Sequence, residues 1–517
     1  MQLGARLRRC VVAAVSVALR GMGGAGAGEC YGDGGGLTSA GVAGLAAGLL
    51  ALPGMQRGDR IALAMKNSPE YLELMWAVWH AGLCLVPMNA KLHPREFAFI
   101  LQNCGVRYCF ASSSLAADIE QVLQSDRSAT SRVIDAESAD YKKLSNSDPL
   151  AIQPVNADDP AWLFYTSGTT GRPKGATISH RALLGMSMRY YADIELVGRS
   201  DCMIHMAPLS HASGLYSLPH IAKGSHQIIP ASQGFDPGEL CTLLESHRNV
   251  AFFAAPTMVT RLVNHPGTKA AKTSHLKTIM YGGAPMYLEN LKSAMQSLGP
   301  CLMQLYGQGE SPNTITSVSK EMHTDTAHPR FEERLASVGV ARSGVEVNVV
   351  DELGQLVPAG EIGEIICRSD ISMTGYWNNP EATAKSLRDG WLYTGDLGAF
   401  DQDGFLTLKD RSKDVIISGG SNIYPREVEE VLLQHEDVLE VSVVGRIHAD
   451  WGEEVVAFVA VKQGRQVTDE ALNELCLRNI GRFKRPKQYV YIEELPKNSY
   501  GKILKTELRQ RLEQDRS

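Results

Sequence analysis

The chain has 517 residues, of which 44% are hydrophobic and 21% charged, so wholesale disorder, coiled coil and collagen are excluded. Fifty-one Lys and Arg against 57 Asp and Glu give a net charge of −6, which offers no general surface for nucleic acid. At ~100–200 residues per domain, this length accommodates two to five domains with a large buried core.

In chain order, Arg6, Arg8 and Arg9 precede a ten-residue apolar run at 10–19 and a glycine-dense stretch at 21–36. The run imitates a secretory signal but is far shorter than the ~20 residues that span a bilayer, so no integral membrane segment is expected. Residues 1–36 are read as a helix and a glycine-rich lead-in. The ten cysteines form no CxxC pair and no zinc-ligand cluster. Scattered thiols suit a reducing cytoplasm, each as a small buried hydrophobe.

Between about 40 and 229, short apolar strands alternate with helical patterns. Residues 60–64 precede a helix over 70–81, with Leu72, Met75, Trp76 and Trp79 at helical spacing. The pattern returns at 250–254, 276–281 and 301–306, and it predicts an α/β architecture with largely parallel sheets. From 338 to 409, short strands with turn residues predict an antiparallel barrel or sheet. Within it, Asp401-Gln-Asp-Gly404 lacks the later acidic ligands of a calcium loop and reads as a hairpin turn. After Asp414 come a helix near 426–434, strands at 438–445 and 454–462, a helix at 469–479, a strand at 488–492 and a last helix from Leu504. About 100 residues of this kind form an α+β unit of their own.

The strongest local signal is Tyr165-Thr-Ser-Gly-Thr-Thr-Gly-Arg-Pro-Lys-Gly-Ala176, which follows an apolar strand. Gly168 and Gly171 let backbone approach an anion, the hydroxyls of Thr166, Ser167, Thr169 and Thr170 donate to phosphate oxygens, and Lys174 adds a cation. A Walker loop needs four residues between its glycines and a hydroxyl residue after the lysine; here there are two, and Gly175 follows Lys174. The loop is therefore a phosphate cradle of another kind.

Four further segments lie in order behind it: Tyr306-Gly-Gln-Gly-Glu310, Tyr393-Thr-Gly-Asp396, Lys409-Asp-Arg411 and Pro496-Lys-Asn-Ser-Tyr-Gly-Lys502. Together the five resemble the ordered motif set of the adenylate-forming superfamily, in its acyl- and aryl-CoA ligase branch. The resemblance covers roughly residues 37–512. It implies a large AMP-binding α/β domain with a small barrel-like subdomain (37–408), a hinge (409–413) and a mobile α+β C-terminal domain (414–517).

It also implies roles. Glu310 holds Mg²⁺ between phosphate oxygens. Asp396 accepts both ribose hydroxyls, with Arg411 as a second ribose contact. Gly282, Gly283 and Ala284 lie against adenine and the acyl group, near Tyr306 and Gly307. Lys502 bridges the substrate carboxylate and the α-phosphate, and His211 gates an acyl pocket with Tyr281 and Gly283 among its walls. Met206, Leu215 and Tyr216 are further candidate walls, and Arg261 is unplaced.

The expected reaction turns ATP and a carboxylic acid into acyl-AMP and pyrophosphate, after which coenzyme A displaces AMP. Because Lys502 serves only the first half, the resemblance implies rotation of the small domain about Lys413, bringing Gly419 and Gly420 beside the pantetheine passage. Trp451, Phe483, Arg485 and Lys487 provide an aromatic surface and cations for the CoA nucleotide. With no carrier-protein segment following, free CoA is the expected thiol. A fatty acid is favoured, with an aryl acid or loading of a carrier protein as alternatives, in a monomer or homodimer.

Overall fold

The computed structural model describes residues 38–125, 131–166, 173–498 and 502–514. The expectations for 1–36, and for Ser167, Gly168, Thr169, Thr170 and Gly171, lie outside the described residues.

The first sheet runs, in spatial order, Arg132–Asp135, Tyr108–Ala111, Arg60–Met65, Cys84–Asn89, Pro160–Thr166 and Lys174–Ser179. Its first five strands are parallel, and the sixth turns back antiparallel to carry the phosphate loop's second arm. Helix Pro69–His80 starts where the Ser68 side chain accepts from the Tyr71 amide and proline occupies the first turn. Leu72, Met75, Trp76 and Trp79 are buried, as their spacing predicts. Trp79 Nε1 donates to the Ala161 carbonyl at 2.8 Å, tying this helix to the strand that leads into the loop.

A second sheet contains His226–Ile228, Cys202–Ile204, Val250–Ala254, Leu276–Gly282 and Leu302–Gln308 in parallel, extended antiparallel by Ser311–Val318 and Val340–Ala341. Parallel strands deliver their loops to one edge, where open α/β sheets bind ligands. Gly282–Ala284 and Tyr306–Glu310 both lie at that edge. The third sheet is antiparallel: Glu346–Val350, Gly363–Arg368, Trp391–Phe400 and Leu387–Arg388, with Leu406–Arg411 paired to Trp391–Phe400. Asp401–Gly404 is the turn between two of these strands, with Asp401 Oδ1 accepting from the Asp403 and Phe405 amides. It is a hairpin, as expected.

The fourth sheet joins Ser421–Ile423, Ile416–Ser418, Gly452–Val461 and Val438–His448, with Gln488–Tyr491 added parallel to Gly452–Val461. Helices Pro425–Leu432, Asp469–Asn479 and Lys505–Gln514 complete this α+β unit. Two separate apolar clusters, one around Ile423, Val441 and Leu472 and one around Phe458, Leu495 and Leu508, form its interior. All eight described cysteines are free thiols, and all but Cys241 are buried. Among the described residues, no helix is long and apolar enough to cross a membrane.

Candidate active site

A cavity of about 500 Å³ lies between the edge of the second sheet and the C-terminal unit. Tyr281, Gly283, Ala284, Tyr306, Gly307, Asp396, Arg411, Lys413 and Lys502 all line it, so five segments distant in sequence converge there.

Asp396 is 8% exposed, and its carboxylate is held from both sides. Tyr306 Oη and Gln308 Nε2 donate to Oδ2 at 2.9 and 2.7 Å. Arg411 Nε lies 3.3 Å from Oδ1, a contact set by register because Asp396 and Arg411 are direct cross-strand partners. The result is a carboxylate of fixed orientation at the cavity wall, suited to accepting paired hydroxyls.

Lys502 enters this wall from the C-terminal unit. Its amide donates to Asn498 Oδ1 at 2.9 Å. Burial, reinforced by the positive charge of Arg411, pushes its ammonium down to about 8 against the opposing pull of Asp396 and Asp414. Lys502 thus shares the cavity wall with Asp396 and Arg411, within reach of their charges.

On the phosphate side, Thr166 and Lys174 are register partners at the mouth of the hairpin whose tip lies outside the described residues. Thr166 Oγ1 donates to Glu310 Oε1 at 3.1 Å, and Tyr376 Oη donates to the same oxygen at 2.8 Å. Lys174 Nζ sits 5.2 Å from the centre of the Tyr376 ring. Glu310 is only 9% exposed, so it is a held carboxylate and not a surface turn acid. A Cβ on Gly309 would lie 2.5 Å from Phe164 and 2.8 Å from Thr166, so only glycine lets this turn close on the strand.

The two glycines after Tyr281 divide their work. A Cβ on Gly282 would lie 2.2 Å from the Leu305 carbonyl, so its bareness serves strand packing and leaves no room for a ligand. Gly283, at φ +81° with nothing within 4 Å of a Cβ, is the one that opens the cavity. Tyr281 Oη is bonded to His323 Nε2 at 2.8 Å, which anchors that wall.

His211 is placed near the phosphate side, its ring edge-on to Phe164 at 4.8 Å, and burial pushes its imidazole down to about 3. It does not line the described cavity, nor do Met206, Leu215 and Tyr216. Tyr216 packs instead against Tyr190 and Phe253. Arg261 lies exposed over the Phe235 ring and is also off the cavity wall.

The residues expected to meet the CoA nucleotide lie on the C-terminal unit and do not line this cavity. Trp451 is 45% exposed, stacked on His448 at 4.8 Å with Lys487 Nζ 5.3 Å from its ring. Phe483 is exposed, and Arg485 Nη1 reaches Asn473 Oδ1 at 3.3 Å. Gly419 and Gly420 both have positive φ with open space around them.

Gln304, Gln308 and Tyr376 were missed from sequence. Gln304, Tyr306 and Gln308 share one strand face by alternation, the signal that could have found the two glutamines. Gln304 Oε1 is buried in the cavity wall without a hydrogen-bond partner among the described residues, an acceptor that a nucleobase amine would satisfy. Tyr376 carries no such signal: its segment reaches Glu310 by running along the strand Lys174–Ser179.

Residues 38–377 match the AMP-binding enzyme family and residues 427–502 the AMP-binding enzyme C-terminal domain. A feruloyl-CoA synthase of an Amycolatopsis species is 34% identical over 91% of this chain and 92% of its own. A medium/long-chain-fatty-acid–CoA ligase of Mycobacterium tuberculosis is 32% identical over 89% and 82%. ATP-bound MatB from Rhodopseudomonas palustris superposes with a TM-score of 0.86 at 27% identity, covering 96% of this chain and 98% of that one. The chain belongs to the AMP-binding, adenylate-forming enzyme family, in its acyl-CoA ligase branch.

Proposed function

We propose that this acid–CoA ligase activates an apolar monocarboxylic acid in the cavity between its two units. In the first half, a carboxylate oxygen attacks the α-phosphorus of ATP, forming acyl-AMP and expelling pyrophosphate. In the second, the CoA thiolate attacks the acyl carbon, and AMP leaves with the bonding electrons. The convergence of Asp396, Tyr306, Arg411 and Lys502 on one cavity carries this reading.

Asp396 takes the ribose hydroxyls and Gln304 the adenine amine. The Lys502 cation lies between the acid's carboxylate and the α-phosphate, where like charges are forced together in the transition state. Glu310 with the Thr166 hydroxyl is a hard-oxygen set that fits Mg²⁺, which supplies charge neutralisation to phosphate oxygens when bound. Lys174 adds a second cation on that side.

Only the cationic form of Lys502 can do this work, and with its pKa near 8 that form is lost as pH rises. The kcat/KM for ATP in pyrophosphate exchange is therefore expected to fall above about pH 8. The Lys502→Arg variant shifts that fall to higher pH if this lysine is responsible.

Fatty acids are the first substrate class proposed. Arg261, exposed and off the wall, gives no partner for a second carboxylate. Aryl acids are the second class, favoured by the feruloyl-CoA relative. A pyrophosphate-release screen with ATP, Mg²⁺ and CoA over saturated fatty acids and cinnamic acids separates them. No release with any monocarboxylate would sink the reading. The free thiols suit a cytoplasmic enzyme.

Trp451 is proposed to stack on the CoA adenine. Base stacking on an aromatic gives ~1–3 kcal/mol, so Trp451→Ala is expected to raise the CoA concentration required by roughly 5- to 150-fold with adenylation intact. Unchanged CoA saturation would return the tryptophan to a packing role and restore a carrier-protein thiol as acceptor.

A further inference from the structure

Tyr287 immediately precedes helix Leu288–Leu298 in the large unit, yet its hydroxyl bonds to the C-terminal unit. Tyr287 Oη donates to Glu429 Oε2 at 2.7 Å across the cavity. Glu429 is 3% exposed, and its other oxygen accepts from the Val443 amide at 2.8 Å and lies 3.0 Å from Lys505 Nζ. Lys505 Nζ also lies 3.8 Å from Asp410 Oδ2 in the linker, and Lys505 follows Lys502 by three residues. Burial and the adjacent Glu429 carboxylate keep the Tyr287 phenol protonated, so its hydroxyl is the donor. A weaker crossing runs beside it, from Arg426 Nη2 to the Ala336 carbonyl at 3.4 Å.

We propose that Tyr287 is a positioning residue for adenylation: through Glu429 and Lys505, its hydroxyl holds the segment bearing Lys502 in the pose that places that lysine beside Asp396. The proposal rests on the reading of two domain poses in the reaction. Val443, Lys505 and Glu429 all belong to the C-terminal unit and travel together. Tyr287 does not, so its bond to Glu429 exists only while the units are docked in this way. An interaction present in one of two states biases the equilibrium toward that state. A bond from a hydroxyl to a buried carboxylate is among the stronger kind.

Tyr287→Phe keeps the ring and removes the donor. Roughly a tenfold fall in pyrophosphate exchange is expected at saturating ATP and acid, the scale of one charge-assisted bond. The KM for ATP is unchanged, and thioester formation from supplied acyl-AMP and CoA is unchanged or faster. In a Glu429→Gln background the same substitution costs little, because its partner has already changed. Equal losses in both half-reactions, or full additivity with Glu429→Gln, would reduce Tyr287 to a wall of the cavity. A readout that needs no acid keeps the test separate from the ligase reading. Energy transfer between labels at Glu352→Cys and Glu474→Cys is expected to show Tyr287→Phe depopulating the docked pose, and an unchanged distribution would overturn the proposal.

Discussion

Replacing Lys502 with Ala is expected to slow acyl-AMP formation by on the order of 10²–10³, the usual loss for one preorganised electrostatic contact. The environment of this side chain is the basis for so large an expected effect. Its ammonium is desolvated in the wall it shares with Asp396 and Arg411, where charge–charge interactions are weakly screened. A carboxylate and a triphosphate repel as they approach, and a cation fixed between them stabilises the crowded state more than the separated one. Thioester formation from supplied acyl-AMP and CoA should survive, since the bond between carboxylate oxygen and α-phosphorus that Lys502 is proposed to assist has then already formed. Single-turnover measurements of each half-reaction decide the matter. Equal damage to both would remove Lys502 from this role.

The second large effect is expected at Lys413. It is exposed, in the turn Ser412–Asp414 that joins strand Leu406–Arg411 to the C-terminal unit, and it borders the cavity. Just beyond it, Asp414 is tied to Arg509 at 2.9 Å, so in the two-pose reading proposed here the backbone change falls on a few residues. Proline there fixes φ near −65° and removes an amide. Lys413→Pro should retain pyrophosphate exchange, because the pose with Lys502 inserted is the one already formed. CoA-dependent thioester release should fall roughly tenfold or more if rotation gates that step, as proposed here. If both halves slowed together, the linker would be acting through stability and not as a hinge.

The local chemistry was legible in the sequence because its motifs are contiguous. The phosphate hairpin, the strand ending at Tyr306 and the turn at Asp401–Gly404 each depend on residues a few positions apart. Helix Pro69–His80 was equally plain, since its buried side chains recur at the helical period and Ser68 caps it. Strand alternation also held enough to bring Gln304 and Gln308 within reach.

What only the tertiary structure decided are the contacts between segments far apart in the chain. Tyr306 meets Asp396 across 90 positions, and Tyr287 meets Glu429 across 142. Tyr376 reaches Glu310 because its segment bridges to Ala176 in the strand Lys174–Ser179, which no local spacing encodes. The bareness of Gly282 reads in sequence as space for a substrate, but in the fold it is filled by the Leu305 carbonyl. His211 keeps its place near the loop strand, yet the cavity wall passes it by. Sequence determined which groups are chemically equipped to act, because residue type and local spacing set acidity, charge and backbone freedom. Sheet order and the docking of the two units decided which of those groups meet, because burial and distance are properties of the packed chain.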